Sequence, residues 1–128
     1  MVIETSLGAP FEHWGVEVSN EMQNGQTLFL QCKSKDDDLG KQYLKHGQKF
    51  SWKFRENLWQ NTLYWCYMSN DHNHVSLEVF WPESASNPWL AYRCRDNVCY
   101  WSARNDGIYI YNVPENKFEF HSKWLAGL

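Results

Sequence analysis

Three consecutive aspartates, Asp36, Asp37 and Asp38, stand in the segment CKSKDDDLG (residues 32–40). Clustered carboxylates can hold a divalent cation or share acid–base work. A calcium loop of the EF-hand type spaces its oxygen ligands at alternate positions, with glycine at the sixth and glutamate at the twelfth. Here the acids are contiguous and Leu39 follows, so that register is absent. Acid–base catalysis needs carboxylates that converge on a substrate, and neighbours on one loop point apart. The expected role is a turn: the Asp side chains accept backbone N–H groups and pair with Lys33 and Lys35, and Gly40 lets the chain change direction.

A second chemical grouping is DHNH (residues 71–74). His72 and His74 could clamp a soft cation, but a working site needs a third or fourth ligand, and only Asp71 is near. A solvated hairpin tip is expected. No GxSxG, HExxH or phosphate-cradling glycine loop occurs. No catalytic residue, metal site or cofactor is therefore assigned.

Cys32, Cys66, Cys94 and Cys99 have neither CxxC spacing nor a histidine in zinc-finger register. An even count in a small domain points to two disulfides and an oxidising compartment; four buried thiols are the alternative. Three connectivities are open. A tight turn at Asp96-Asn97 would bring Cys94 opposite Cys99, with Cα atoms about 4.5 Å apart. That bridge would close a short loop and constrain the unfolded chain little. Long-loop closure favours Cys32–Cys99 with Cys66–Cys94.

The elements that must position these residues read as strands. The 128 residues suit one domain, 1–128, with 1–14 as a loosely ordered N-terminal segment. Twelve basic and fifteen acidic residues leave a net charge of −3, without the basic face that nucleic acid or an anionic membrane requires. No apolar run reaches the roughly 18–20 residues of a membrane span. Aromatic residues make up 17% of the chain, and they favour strands.

Period-2 alternation marks nine strands: 15–20, 26–34, 48–54, 62–68, 74–82, 89–94, 98–104, 107–112 and 117–124. The segment 62–68 is apolar on both faces, as a central strand would be. Asn24-Gly25 predicts a hairpin between the first two strands, and Asp96-Asn97, Asp106-Gly107 and 113–116 predict further turns. Residues 36–47 could form a capped helical turn, but Gly40 and Gly47 favour an extended path to a turn at 45–47. The fold class is all-β: an antiparallel β-sandwich of about eight or nine strands with two disulfides.

Trp52, Trp65, Trp81 and Trp101 fall inside strands and are expected in the core. Trp14, Trp59, Trp89 and Trp124 fall at strand or loop edges, where they close the sandwich or meet a sugar or apolar ligand.

The order VEVSN (16–20), LFLQCKSKDDDLG (28–40), Leu44 and Gly47 before FSWKF (50–54), Thr62 before Cys66, and Cys94 before CYW (99–101) and DGIY (106–109) resembles the plant self-incompatibility protein family, the S-protein homologues. The resemblance covers Val16 to Trp124. It implies a small, secreted, disulfide-bonded β-sandwich from a plant. In poppy, a member of this family is the stigma-secreted ligand that pollen recognises through a surface receptor. The four cysteines match the family's positions, so their disulfide role carries over. The family pattern supplies no catalytic residue, and no N-x-S/T sequon occurs here. The segment MVIETSLGAP lacks the features of a signal peptide, so the expectation is that the signal has been removed and Met1 is a replacement start.

The expected function is thus a secreted, monomeric signalling ligand that a cell-surface receptor recognises through loops. The candidate loops are 55–61, 70–74 and 83–88. Their candidate contacts are Trp59, Asn70, Asp71, His72, Asn73, His74, Glu83, Ser84, Asn87 and Trp89. The alternative is an extracellular carrier or lectin-like module enclosing an apolar or sugar ligand between the sheets.

Overall fold

A computed structural model describes residues 12–56, 61–84 and 86–127. It contains ten strands and one short helix: β1 His13–Asn20, β2 Leu28–Ser34, β3 Asp38–Leu44, β4 Lys49–Arg55, β5 Tyr64–Ser69, β6 Asn73–Phe80, α1 Trp89–Arg93, β7 Val98–Arg104, β8 Gly107–Asn112, β9 Lys117–Ser122 and β10 Leu125–Ala126. They form two five-stranded sheets, ordered β4-β1-β7-β8-β9 and β10-β6-β5-β2-β3. We call these the first and second sheets. No helix among the described residues is long and apolar enough to cross a membrane.

The alternation in the sequence becomes a two-layer core. Val16, Val18, Trp101, Ile108 and Ile110 face inward from the first sheet, and Leu28, Leu30, Met68, Leu77 and Val79 from the second. Side chains of a strand alternate between faces, so each sheet contributes every second residue. The Trp101 indole N–H donates to the Val79 carbonyl at 3.1 Å, satisfying the polar atom of the largest buried side chain. Edge strand β4 leans over the core with Phe50, Trp52 and Phe54. Phe54 meets Tyr64 at 4.7 Å and Phe80 at 4.8 Å, closing one end of the sandwich.

The structure corrects several expectations. β1 pairs with β7 in parallel, so the sandwich is mixed rather than wholly antiparallel. A parallel pair needs a long crossover, and here the crossover includes nearly all of the second sheet. Asn24 and Gly25 have the positive φ expected of them, 63° and 69°, but they join β1 to β2 in different sheets and make no hairpin. Asn20 governs that crossing. Its buried amide donates to the Gln26 and Leu44 carbonyls at 2.9 and 2.7 Å, and its oxygen accepts the Met22 N–H at 2.9 Å.

Residues 89–93, expected as a strand, are helical. Leu90 and Cys94 are both buried and stand four apart, a helical spacing. The Glu83 carboxylate accepts the N–H groups of Leu90 and Ala91 at 2.6 and 3.0 Å, covering the exposed donors of the first turn. Residues 1–11 of the N-terminal segment lie outside the described residues. His13 and Trp14 already belong to β1, and Trp14 is buried.

Other expectations hold. Residues 38–44 are extended, and Gly47, with φ 83°, turns the chain after them. Asn97 and Asn116 adopt positive φ, whereas the β7–β8 turn is Asn105-Asp106, one residue before the expected Asp106-Gly107, so that Gly107 opens β8 opposite Arg104.

Candidate recognition surface

The disulfides pair Cys32 with Cys66 and Cys94 with Cys99, which overturns Cys32–Cys99 with Cys66–Cys94. Cys32 and Cys66 are direct cross-strand partners on β2 and β5, with Cα atoms 4.0 Å apart. Cys99 lies on β7 in the other sheet. Cys94 ends α1, and the turn through Asn97 brings it back to Cys99, with a Cα separation of 4.7 Å. Proximity follows from strand pairing and the tight turn, and the entropy of long-loop closure does not measure it.

CKSKDDDLG is a turn and a bulge. The Ser34 N–H donates to the Asp37 carbonyl at 2.8 Å, and the Asp37 N–H to the Ser34 hydroxyl at 3.1 Å. Asp38 accepts the Gly40 N–H at 2.9 Å, and the Gln31 side-chain amide lies within 3.1 Å of both carboxylate oxygens. Lys33 is 4.0 Å away. The Gly40 N–H first, then the Gln31 amide, hold the Asp38 carboxyl below its usual range. The register slips between Gln31 and Lys33 opposite Leu39 and Gly40, so Gly40, at φ 88°, sits in a bulge within β3. Lys35, Asp36 and Asp37 are exposed. Among the described residues no three His, Cys, Asp or Glu side chains gather as a metal site would require.

The candidate loops do not come together. Residues 70–72 follow the end of β5 at Ser69, whereas 83–88 follow the end of β6 at Phe80, which pairs with Tyr64 at the start of β5. The two loops are therefore at opposite ends of the sandwich. Trp59 lies outside the described residues. Glu83 is committed to α1, and the Ser84 and Ser86 hydroxyls bond each other at 2.7 Å, while Asn87 is exposed. Trp89 stacks on Trp81 at 5.8 Å, and the Arg93 guanidinium lies 4.0 Å from its ring centre.

The 70–74 turn is organised by Asn70, whose buried side-chain oxygen accepts the N–H groups of His72 and Asn73 at 3.0 and 2.8 Å. Asp71 and His72 project outward. β10 pairs across the turn's far side: Leu125 opposes His74 and Ala126 opposes Asn73. His74 Nδ1–H donates to the Gly127 carbonyl at 2.7 Å, leaving Nε2 without a proton in the neutral ring.

His74 ends a ladder of rings across the outer face of the second sheet. Tyr43 on β3 meets Phe29 on β2 at 5.2 Å, Phe29 meets Tyr67 on β5 at 6.0 Å, and Tyr67 stacks with His74 on β6 at 6.3 Å. Tyr43 is 65% exposed and Tyr67 37%. Of these four rings only His74 was among the expected contacts; Tyr43, Phe29 and Tyr67 were not. Their signal was present in the two-faced apolar pattern of residues 62–68. It correctly indicated a central strand, but one face of that strand is open.

The comparisons with known proteins agree with this architecture. A family model for plant self-incompatibility protein S1 matches residues 15–124. S-protein homolog 74 of Arabidopsis thaliana is 43% identical over 114 residues, covering 89% of this chain and 73% of the relative. S-protein homolog 1 of the same plant is 41% identical over 114 residues, with the same coverage, 89% and 73%. A solved structure described as belonging to the self-incompatibility protein homologues, "a widespread family of small, highly stable, secreted proteins from plants", superposes with a TM-score of 0.62. It is 19% identical and covers 91% of this chain and 97% of its own. The fold, the cysteine-bearing motifs and these relatives agree: the chain belongs to the plant self-incompatibility protein S1 family, the S-protein homologues, small secreted proteins of plants.

Proposed function

We propose that this protein is an extracellular signal, acting as a monomer, that a cell-surface receptor protein recognises on the outer face of the second sheet. The observation that carries this reading is the exposed ladder Tyr43–Phe29–Tyr67–His74. Tyrosine rings anchor protein interfaces because they bury large area and lose little side-chain freedom. Polar neighbours on the same face, Lys41, Ser76 and Glu78, supply a rim. The 70–74 turn adjoins the ladder at His74, so it belongs to the same surface. Ser84, Asn87 and Trp89 would form a separate, secondary contact at the other end. The reading contains no catalytic step, cofactor or metal.

A carrier that holds its ligand between the sheets is less well supported. Trp101, Leu28, Leu30, Met68, Ile108 and Ile110 fill that space, and a ligand there would displace the core.

The test is proximity labelling on intact plant cells with the oxidised protein fused to a labelling enzyme. Specific labelling of a membrane protein, reduced by Tyr43→Ser with Tyr67→Ser, is expected. Labelling no stronger than that of the unfolded, reduced protein would contradict the proposal.

A further inference from the structure

The opposite face of the sandwich carries a different feature. An open groove of about 530 Å³ runs along the outer face of the first sheet. That volume is within the ~300–1,000 Å³ typical of small-ligand sites. Its floor is aromatic: Tyr100 on β7 meets Tyr111 on β8 edge-to-face at 6.4 Å, and Tyr111 meets Phe118 on β9 at 4.8 Å.

Charged groups of both signs line the groove. Arg104 lies against the rings of Phe118 and Tyr109 at 4.1 and 4.8 Å, and its Nε–H donates to the Ser102 hydroxyl at 3.2 Å. Two ring contacts and one hydrogen bond thus fix the guanidinium, and it forms no ion pair among the described residues. On the other wall Glu17 stands 3.7 Å from Lys49. Asp96 and Glu21 complete the lining.

This lining discriminates among ligand chemistries. Three carboxylates (Glu17, Glu21 and Asp96) face two cations, Lys49 and Arg104. A polyanion meets net repulsion. An apolar ligand would strip water from five charges without replacing their hydrogen bonds. A neutral pyranose ring suits both features. Its C–H faces pack on the electron-rich faces of the tyrosines. Its paired hydroxyls both donate and accept, matching the carboxylates and the fork of the guanidinium.

We propose that this groove binds a neutral oligosaccharide, with sugar rings stacked on Tyr100 and Tyr111 and their hydroxyls held by Glu17 and Arg104. The site is independent of receptor recognition, because Tyr111 and Tyr67 lie on opposite faces of the sandwich.

The test is an NMR titration of the oxidised, isotope-labelled protein with cello-, xylo- and manno-pentaose, and with penta-galacturonate as the anionic comparator. At least one neutral pentaose should shift the amides of β1, β7 and β8 saturably, and the galacturonate should bind more weakly. Tyr111→Ala should weaken binding about tenfold, as loss of one aromatic contact would. Glu17→Gln, which keeps size and fold, should also weaken it. Three results would overturn the proposal: no neutral sugar binding at millimolar concentration, tighter binding of the galacturonate, or shifts confined to the second sheet. Unchanged affinity in a folded Glu17→Gln protein would overturn the assigned contacts.

Discussion

Cys32 lies directly opposite Cys66 across the β2–β5 ladder, with the two Cα atoms 4.0 Å apart, and the bond between them closes a loop of sequence separation 34. The Cys94–Cys99 bond closes a separation of only 5. In the chain-entropy view the longer loop restricts the unfolded ensemble more. Replacing Cys32 and Cys66 together by Ser should cost about 4 kcal/mol, and replacing Cys94 and Cys99 about 2 kcal/mol. Urea unfolding of the two double variants checks the order. Equal losses would show that native packing around the bridges, and not loop length, sets their value.

Asn20 holds the crossing from the first sheet to the second through three buried hydrogen bonds. Asn20→Ala removes all three and leaves the Leu44 carbonyl without its buried donor. The expected loss is about 3 kcal/mol, read as a lower urea midpoint with an unchanged slope. A changed slope would show that the unfolded state or the compactness of the fold had also moved.

Two glycines with positive φ should respond differently to the same substitution. A Cβ on Gly107 would meet the Ser122 carbonyl oxygen at 2.3 Å and the Phe120 ring at 2.7 Å. Gly107→Ala should cost about 3 kcal/mol, from strain and overpacking together. Gly25 faces open space at φ 69°, so Gly25→Ala should cost only about 1 kcal/mol, the backbone penalty alone. Thermal melts of the two variants separate the effects.

Glu56 is buried, and its backbone N–H donates to the Glu12 carbonyl at 2.8 Å. Burial first, then the charge of Glu12, pushes its pKa above the usual 4.5. The folded state therefore holds this proton to higher pH than the unfolded state does. The resulting destabilisation is absent below the unfolded value. It grows as pH rises from about 4.5 to the raised folded value, and is constant beyond it. Glu56→Gln should be more stable than the native protein at pH 7 and lose that advantage at pH 4. Asp38 has the opposite sign: its lowered pKa adds stability that is present above the usual 3.8 and lost as pH falls through the folded value. Melting curves from pH 3 to 8 on Glu56→Gln and Asp38→Asn should diverge from the native protein in opposite directions as pH rises.

Much of the scaffold was legible in the residues. Alternation placed eight of the ten strands, because half-buried strands must alternate. β3 was legible only as an extended path, and two-residue β10 gives too few positions for a pattern. Asn97 and Asn116 marked turns because their side chains tolerate positive φ. Asn24-Gly25 illustrates the limit of that logic: turn chemistry sets φ but not whether the two strands share a sheet. The five-residue helix was hidden because its cap, Glu83, lies six residues before its first residue. The ring ladder was hidden for a related reason. Phe29, Tyr43 and Tyr67 belong to three strands that only the pairing of the second sheet brings side by side, and by composition alone they look like core.

The most direct test of recognition by the second sheet's outer face is saturation binding of the labelled, oxidised protein to plant protoplasts, which carry surface receptors without wall polysaccharide. Wild type should be compared with a Tyr43→Ser, Tyr67→Ser double variant and with Tyr111→Ala. Replacing both tyrosines should abolish saturable binding while the melting temperature stays near wild type, and Tyr111→Ala should bind as wild type does. Undiminished binding by the folded double variant would contradict the account.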